Sequence, residues 1–113
     1  MNDIVTPDQV IRELNRLIGE SAKGVEALFA AEVKVANLEA DYDRELAKAQ
    51  IGSTGTALDR TAVAKLATID LKLELDIAKA EFNRIKMKLR TIDSAQVAVS
   101  VIAKQVELAV KHL

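Results

Sequence analysis

Apolar side chains recur along this chain at alternating steps of three and four, the spacing that lines up one face of an α-helix. In the first half, Leu14, Leu17, Ser21, Gly24, Leu28, Ala31, Val35, Leu38, Tyr42, Glu45 and Ala49 form such a seam. Ile18, Val25 and Leu46 widen it, as a core-facing helix requires. In the second half the seam runs through Leu71, Leu75, Ala78, Phe82, Ile85, Leu89, Ile92, Gln96, Val99, Ala103, Val106, Val110 and Leu113, with Gln96 its polar member. A heptad sustained this long predicts left-handed supercoiling. Traced backwards it reads Thr68, Ala64, Thr61, so it narrows toward the middle of the chain. A second stripe, Leu66, Ile69, Leu73 and Ile77, runs on another face. A helix apolar on two faces needs more than one partner, and one hairpin supplies only one. A homo-oligomer or a folded-back third helix is therefore expected.

The punctuation between these seams is sparse. Thr6-Pro7-Asp8-Gln9 reads as a capping box with Thr6 at the N-cap and proline at the first helical position, and Val5 and Val10 are spaced for a hydrophobic staple. Gly19 and Gly24 each weaken a helix by about 1 kcal/mol relative to alanine, and they also leave room for close backbone approach. A kink there, or a short first helix over 7–19, is one outcome. Gly52-Ser53-Thr54-Gly55 is the clear loop signal, with Gly52 able to form a left-handed C-cap and Thr56 able to cap the next helix. The expected layout is helix 1 over about 7–50, a turn at 51–56, helix 2 over about 57–91 and a C-terminal helix or continuation over about 92–112.

Thr91 or Asp93 can cap a new helix. If the helix continues instead, Gln96 sits in the seam and fixes register or oligomer state; if it breaks, Gln96 is simply exposed. Val97–Ile102 alternates and is β-branched, which locally favours a strand. The seam crosses it without changing phase, and no partner strand exists, so it is read as helix. The fold class is all-α: one helical domain over 1–113, a long antiparallel helical hairpin or coiled coil, self-associating into a helical bundle. The self-association seam is assigned to Leu71, Leu75, Phe82, Ile85, Leu89, Ile92, Gln96, Val99, Val106 and Val110.

Composition narrows the function classes. Half of the residues are hydrophobic but only 3% aromatic, there is one proline, and there is no cysteine. That excludes a disulfide scaffold and a zinc–thiolate site, and it argues against a breaker-rich β-sandwich and a disordered chain. Lysine and arginine total 16 against 17 acidic residues, a balance unlike that of a general nucleic-acid binder. The charges are unevenly placed: residues 1–50 hold 6 basic and 10 acidic side chains, and residues 51–113 hold 10 and 7. Antiparallel arms of opposite charge favour pairing. Folding about residue 53 or 54 brings Glu13 and Glu20 near Lys86, Lys88 and Arg90, and Asp41 and Asp43 near Lys65. The start of the chain does not read as a secretory signal. No apolar run approaches membrane-spanning length, and 97–113, with only Lys104 and Lys111 as basic residues, makes a poor membrane-surface helix. A cytoplasmic protein is expected.

Candidate chemistry is thin. Lys79, Arg84, Lys86, Lys88 and Arg90 cluster in sequence and offer a contact strip for nucleic-acid phosphates or an acidic partner. A solvated face with hairpin salt bridges is the commoner explanation of such a run, and the aromatics that stack on single strands are missing. Glu39, Asp41, Asp43 and Glu45 form an acidic patch whose i, i+2 spacing points side chains apart, so they do not converge on a metal. His112 is the sole histidine and lies at a chain end. Without cysteine or an internal histidine the usual nucleophile–base pairs cannot be assembled. Gly52–Gly55 lacks the lysine and preceding strand of a P-loop. No catalytic, cofactor or metal residue is assigned.

The helix–Gly/Ser/Thr turn–helix layout, with Lys86-Met87-Lys88-Leu89-Arg90 followed by Val101-Ile102-Ala103-Lys104-Gln105-Val106-Glu107, resembles small coiled-coil proteins of bacteriophage early regions. The resemblance covers most of the chain, rests on no specific motif, and implies a non-enzymatic accessory that binds a host or phage protein. The hairpin is also similar to type VII secretion helical hairpins. It ranks behind, because their Trp-x-Gly turn and C-terminal Tyr-containing export signal are absent. The function expected is a protein-binding or assembly module with itself and another protein as partners. The alternative is a nucleic-acid-associated factor for replication or recombination that uses the basic strip.

Overall fold

The capping box at the chain start is formed in full. Thr6 N–H donates to Gln9 Oε1 at 3.0 Å, and Gln9 N–H donates to Thr6 Oγ1 at 3.2 Å. These two bonds satisfy donors that the first helical turn leaves open. The computed structural model of the chain describes residues 6–112, so Val5 of the expected staple lies outside the described residues, as does Leu113. From this cap, α1 runs as one helix, Pro7–Gly52. Neither Gly19 nor Gly24 breaks it.

The turn differs from expectation in one respect. Gly52 ends α1 in helical conformation, and the residue with positive φ is Gly55, at 104°. Ser53 Oγ donates to the Gln50 carbonyl at 3.1 Å and takes over one of the helix-end acceptors. Gly55 then delivers the chain to a second capping box, in which Thr56 Oγ1 accepts from Asp59 N–H and Asp59 Oδ2 accepts from Thr56 N–H. This starts α2, Ala57–Ala67.

The interruption of the second half falls at Thr68, not at 91–94. Thr68 Oγ1 donates to the Ala64 carbonyl at 2.8 Å, and Thr68 N–H bonds to the Lys65 carbonyl at 3.3 Å, a tightened i→i−3 turn. A hydroxyl that takes the i−4 carbonyl competes with the backbone for it and bends the helix. Ala64 and Thr68 are both buried. The Lys72 N–H bonds to the Thr68 carbonyl and opens α3, which continues unbroken as Ile69–Lys111 through Thr91–Ser94 and through the β-branched stretch. Among the described residues there are three helices and no strand.

The chain divides by packing into two compact units. One combines the chain up to Ala27 with Ile85 onward; the other is Leu28–Arg84. Within the first, α1 and α3 run antiparallel: Val10 lines a groove with Val106 and Val110, and Gly24 faces Leu89. A Cβ built on Gly24 would lie 2.5 Å from Leu89 Cδ2, so glycine permits this approach, whereas Gly19 has nothing within 4 Å. Within the second unit α1 and α3 are also antiparallel. Lys72 Nζ sits 5.5 Å from the Tyr42 ring centroid, and Lys79 Nζ meets Glu39 Oε1 at 3.4 Å.

Folding about residue 53 or 54 would have set Gly24 against residue 83 and Tyr42 against residue 65. The observed partners lie six or seven residues later. The expected charge pairing changes accordingly. Glu20 does line a groove with Lys88, but its ion pair, like that of Glu13, is to Arg16 on α1 itself, at 3.0 and 2.5 Å. The hydrogen bond from Arg16 holds the Glu13 carboxyl below its ordinary value. Asp41 pairs with Arg44 at 3.1 Å, not with Lys65.

Candidate interaction surface

Helical spacing places the seam residues where expected. On α1, Leu14, Leu17, Ser21, Gly24, Leu28, Ala31, Val35, Leu38, Tyr42 and Ala49 are all buried or half-buried. Glu45 is exposed, and the half-buried Leu46 takes its place. On α3, Ile85, Leu89, Ile92, Gln96, Val99 and Val106 are buried or half-buried in the first unit, and Leu71, Leu75 and Phe82 in the second. Val110 is exposed at the end of the helix. Gln96 stays on the seam because α3 continues, and it borders a shallow groove with Asp93, Ser100 and Lys104. Of the ten residues assigned to self-association, Leu75 and Ile92 are buried within the single chain, seven are half-buried and Val110 is exposed.

What faces outward is a different apolar set. In the second unit Leu66, Ile69, Leu73 and Ile77, the second stripe of the sequence, are 58–74% exposed. Phe29 and Val33 of α1 are exposed as well. In the first unit Ile11, Ile18 and Val25 follow one another at seven-residue intervals on α1, each more than half exposed. Ile18 and Val25 thus lie off the core that they were expected to widen. Their equal spacing with Ile11, out of phase with the seam, was the signal for a separate stripe. On α3 of this unit Val97, Val101 and Leu108 are also outward. Beside them Val10, Ile11, Ala103, Val106 and Val110 line an almost wholly apolar groove of about 390 Å³.

The basic strip is split by the same geometry. At about 100° per residue, Lys86 and Arg90 of the first unit flank one side of the α3 seam, and Lys88 flanks the other. Lys88 lines a groove with Glu20 and Lys23 of α1. In the second unit Lys72 and Lys79 lie on one flank and Arg84 on the outward face, one heptad after Ile77, and Lys79 reaches Glu39. By helical spacing Lys79, Lys86 and Arg90 share one flank of α3, and Arg84 and Lys88 do not join it. The acidic patch is divided likewise: Glu39 turns to Lys79, Asp41 to Arg44, and Glu45 to Lys48 at 3.4 Å. Among the described residues no group of three or more metal-ligating side chains converges. His112 is exposed just beyond α3. None of the described helices is long and apolar enough to cross a membrane. No protein-family description, curated protein or solved structure matches the chain.

Proposed function

We propose that this chain is a non-enzymatic binding module that presents outward apolar helix faces to another protein. The observation that carries the reading is the sorting of aliphatic residues: one seam is consumed within the chain, and a second set at helical spacing is left in water. Full burial of a leucine or isoleucine is worth about 1.5–3 kcal/mol. Ile11 and Ile18, each more than half exposed, retain over half of that for a partner. The likeness to bacteriophage accessory proteins, and a cytoplasmic setting, belong to the same proposal. Lys88 and Arg84 lie off the flank that Lys79, Lys86 and Arg90 share, and Lys79 is paired with Glu39, which gives the nucleic-acid alternative less support.

Ile18 provides the test, because it is exposed and its substitution leaves the seam intact. Immobilised full-length chain and an Ile18→Glu variant are offered the same cell extract, and retained proteins are identified and titrated individually. A partner held by the native chain and lost with Ile18→Glu, at unchanged helix content, supports the reading. If no protein distinguishes Ile18→Glu, nor an equivalent Val25→Glu variant, from the native chain, the reading fails.

A further inference from the structure

The stripe Leu66, Ile69, Leu73 and Ile77 has a charge setting that selects its occupant. On the helical wheel Asp70, Glu74 and Glu81 border one side of it. On α3 Lys72 and Lys79 border the other, with Asp76 interrupting the basic row and Arg84, seven residues after Ile77, continuing the stripe's own face; Leu66 and Lys65 lie on α2, before the turn at Thr68. All of these charged residues except the half-buried Lys79 are exposed. Among the described residues no ion pair engages Asp70, Glu74 or Glu81. Lys72 reaches Asp76 at 3.3 Å and lies over the Tyr42 ring, and Lys79 reaches Glu39 at 3.4 Å; both ion pairs are partly exposed and screen readily.

We infer that a second copy of this chain docks on this stripe, with the two α3 helices parallel. In a parallel pair each acidic border faces the partner's basic border, on both sides of the contact. In an antiparallel pair lysines would face lysines and carboxylates would face carboxylates, so the borders set orientation as flanking charges do in paired helices. The contact is self-complementary, as a two-fold interface must be. Area supports it. The single chain exposes 8643 Å². A compact monomer of this mass exposes about 6,100 Å², an excess near 2,500 Å², while one side of a standard interface removes roughly 800 Å². A net charge of −1 leaves little repulsion between copies.

This goes beyond the binding reading and can fail without it, because the partner of the Ile18 face is measured separately. The test uses the full chain. Sedimentation equilibrium from about 1 to several hundred micromolar is expected to show a monomer–dimer equilibrium, weakened at least tenfold by Leu73→Glu with unchanged helix content. Orientation is read with Ala80→Cys, a stripe position in a chain that has no cysteine. A short bis-maleimide is expected to link Ala80→Cys chains to one another. Linking Ala80→Cys to Leu66→Cys in preference to itself marks an antiparallel contact and overturns the inference. A native chain that stays monomeric throughout, or a Leu73→Glu variant that dimerises as well as the native chain, also overturns it.

Discussion

At the residue scale, neighbouring positions on α1 carry opposite burdens, and substitutions read them out. Leu17 is 2% exposed and Ile18 is 58% exposed. Truncating a buried leucine costs its transfer free energy plus a cavity, so Leu17→Ala is expected to lose about 2–4 kcal/mol. Ile18→Ala is expected to change stability by under about 0.5 kcal/mol, since it lies outside the packed seam and alanine is the better helix former. Urea unfolding of both variants checks the pair, and similar losses would contradict the assigned faces. The two helical glycines form a second contrast. Gly19→Ala meets open space and is expected to gain about 0.5–1 kcal/mol. Gly24→Ala earns the same propensity but drives its methyl into Leu89, an overpacking worth about 1–3 kcal/mol. It is expected to be neutral to destabilising in the same measurement.

At the element scale, three threonines make one local bond with different results. Thr61, Thr68 and Thr91 each donate a side-chain hydroxyl to the carbonyl four residues back, at 2.8, 2.8 and 3.2 Å. Only at Thr68 does the helix end. Thr68 is buried together with Ala64, whereas Thr61 and Thr91 are exposed and their helices continue. Thr68→Ala therefore leaves a buried position without its hydroxyl bond and its methyl, and is expected to cost about 1–3 kcal/mol. Thr91→Ala is expected to be within about 0.5 kcal/mol of the native chain by thermal denaturation. The same comparison explains what the sequence could carry. The capping box at Thr6, the cap at Thr56, the seams on α1 and α3, and the Leu66–Ile77 stripe follow from local spacing and were legible; the reciprocal bond from Thr56 to Asp59 was not read. The break at Thr68 was not, because its local bond is shared with uninterrupted helix and only tertiary burial separates the cases. Nor was the inter-helix register. Ile18 and Val25 were misplaced because two stripes seven-spaced on one helix overlap in a linear reading, and only burial tells which stripe the partner helix takes.

At the scale of the whole molecule, the exposed surface is itself a measurable property of unfolding. An extended chain of this mass exposes about 17,800 Å², and a compact fold removes about 11,700 Å² of it. With 8643 Å² still exposed in the folded chain, unfolding uncovers only about four-fifths of that amount. The urea m-value and the heat-capacity change both scale with newly exposed surface. A dilute monomer is therefore expected to unfold with an m-value about a fifth below that of a compact protein of equal length. Association changes this in a definite direction. A second copy that binds only the folded state stabilises it by mass action and adds its own buried surface to the transition. Midpoint temperature and m-value should then rise together with protein concentration in the native chain, and stay flat in Leu73→Glu. Differential scanning calorimetry and urea titration at a few and at several hundred micromolar make the comparison. A dilute chain with the full heat-capacity change of a compact protein would mean that in solution it buries its outward stripes by itself.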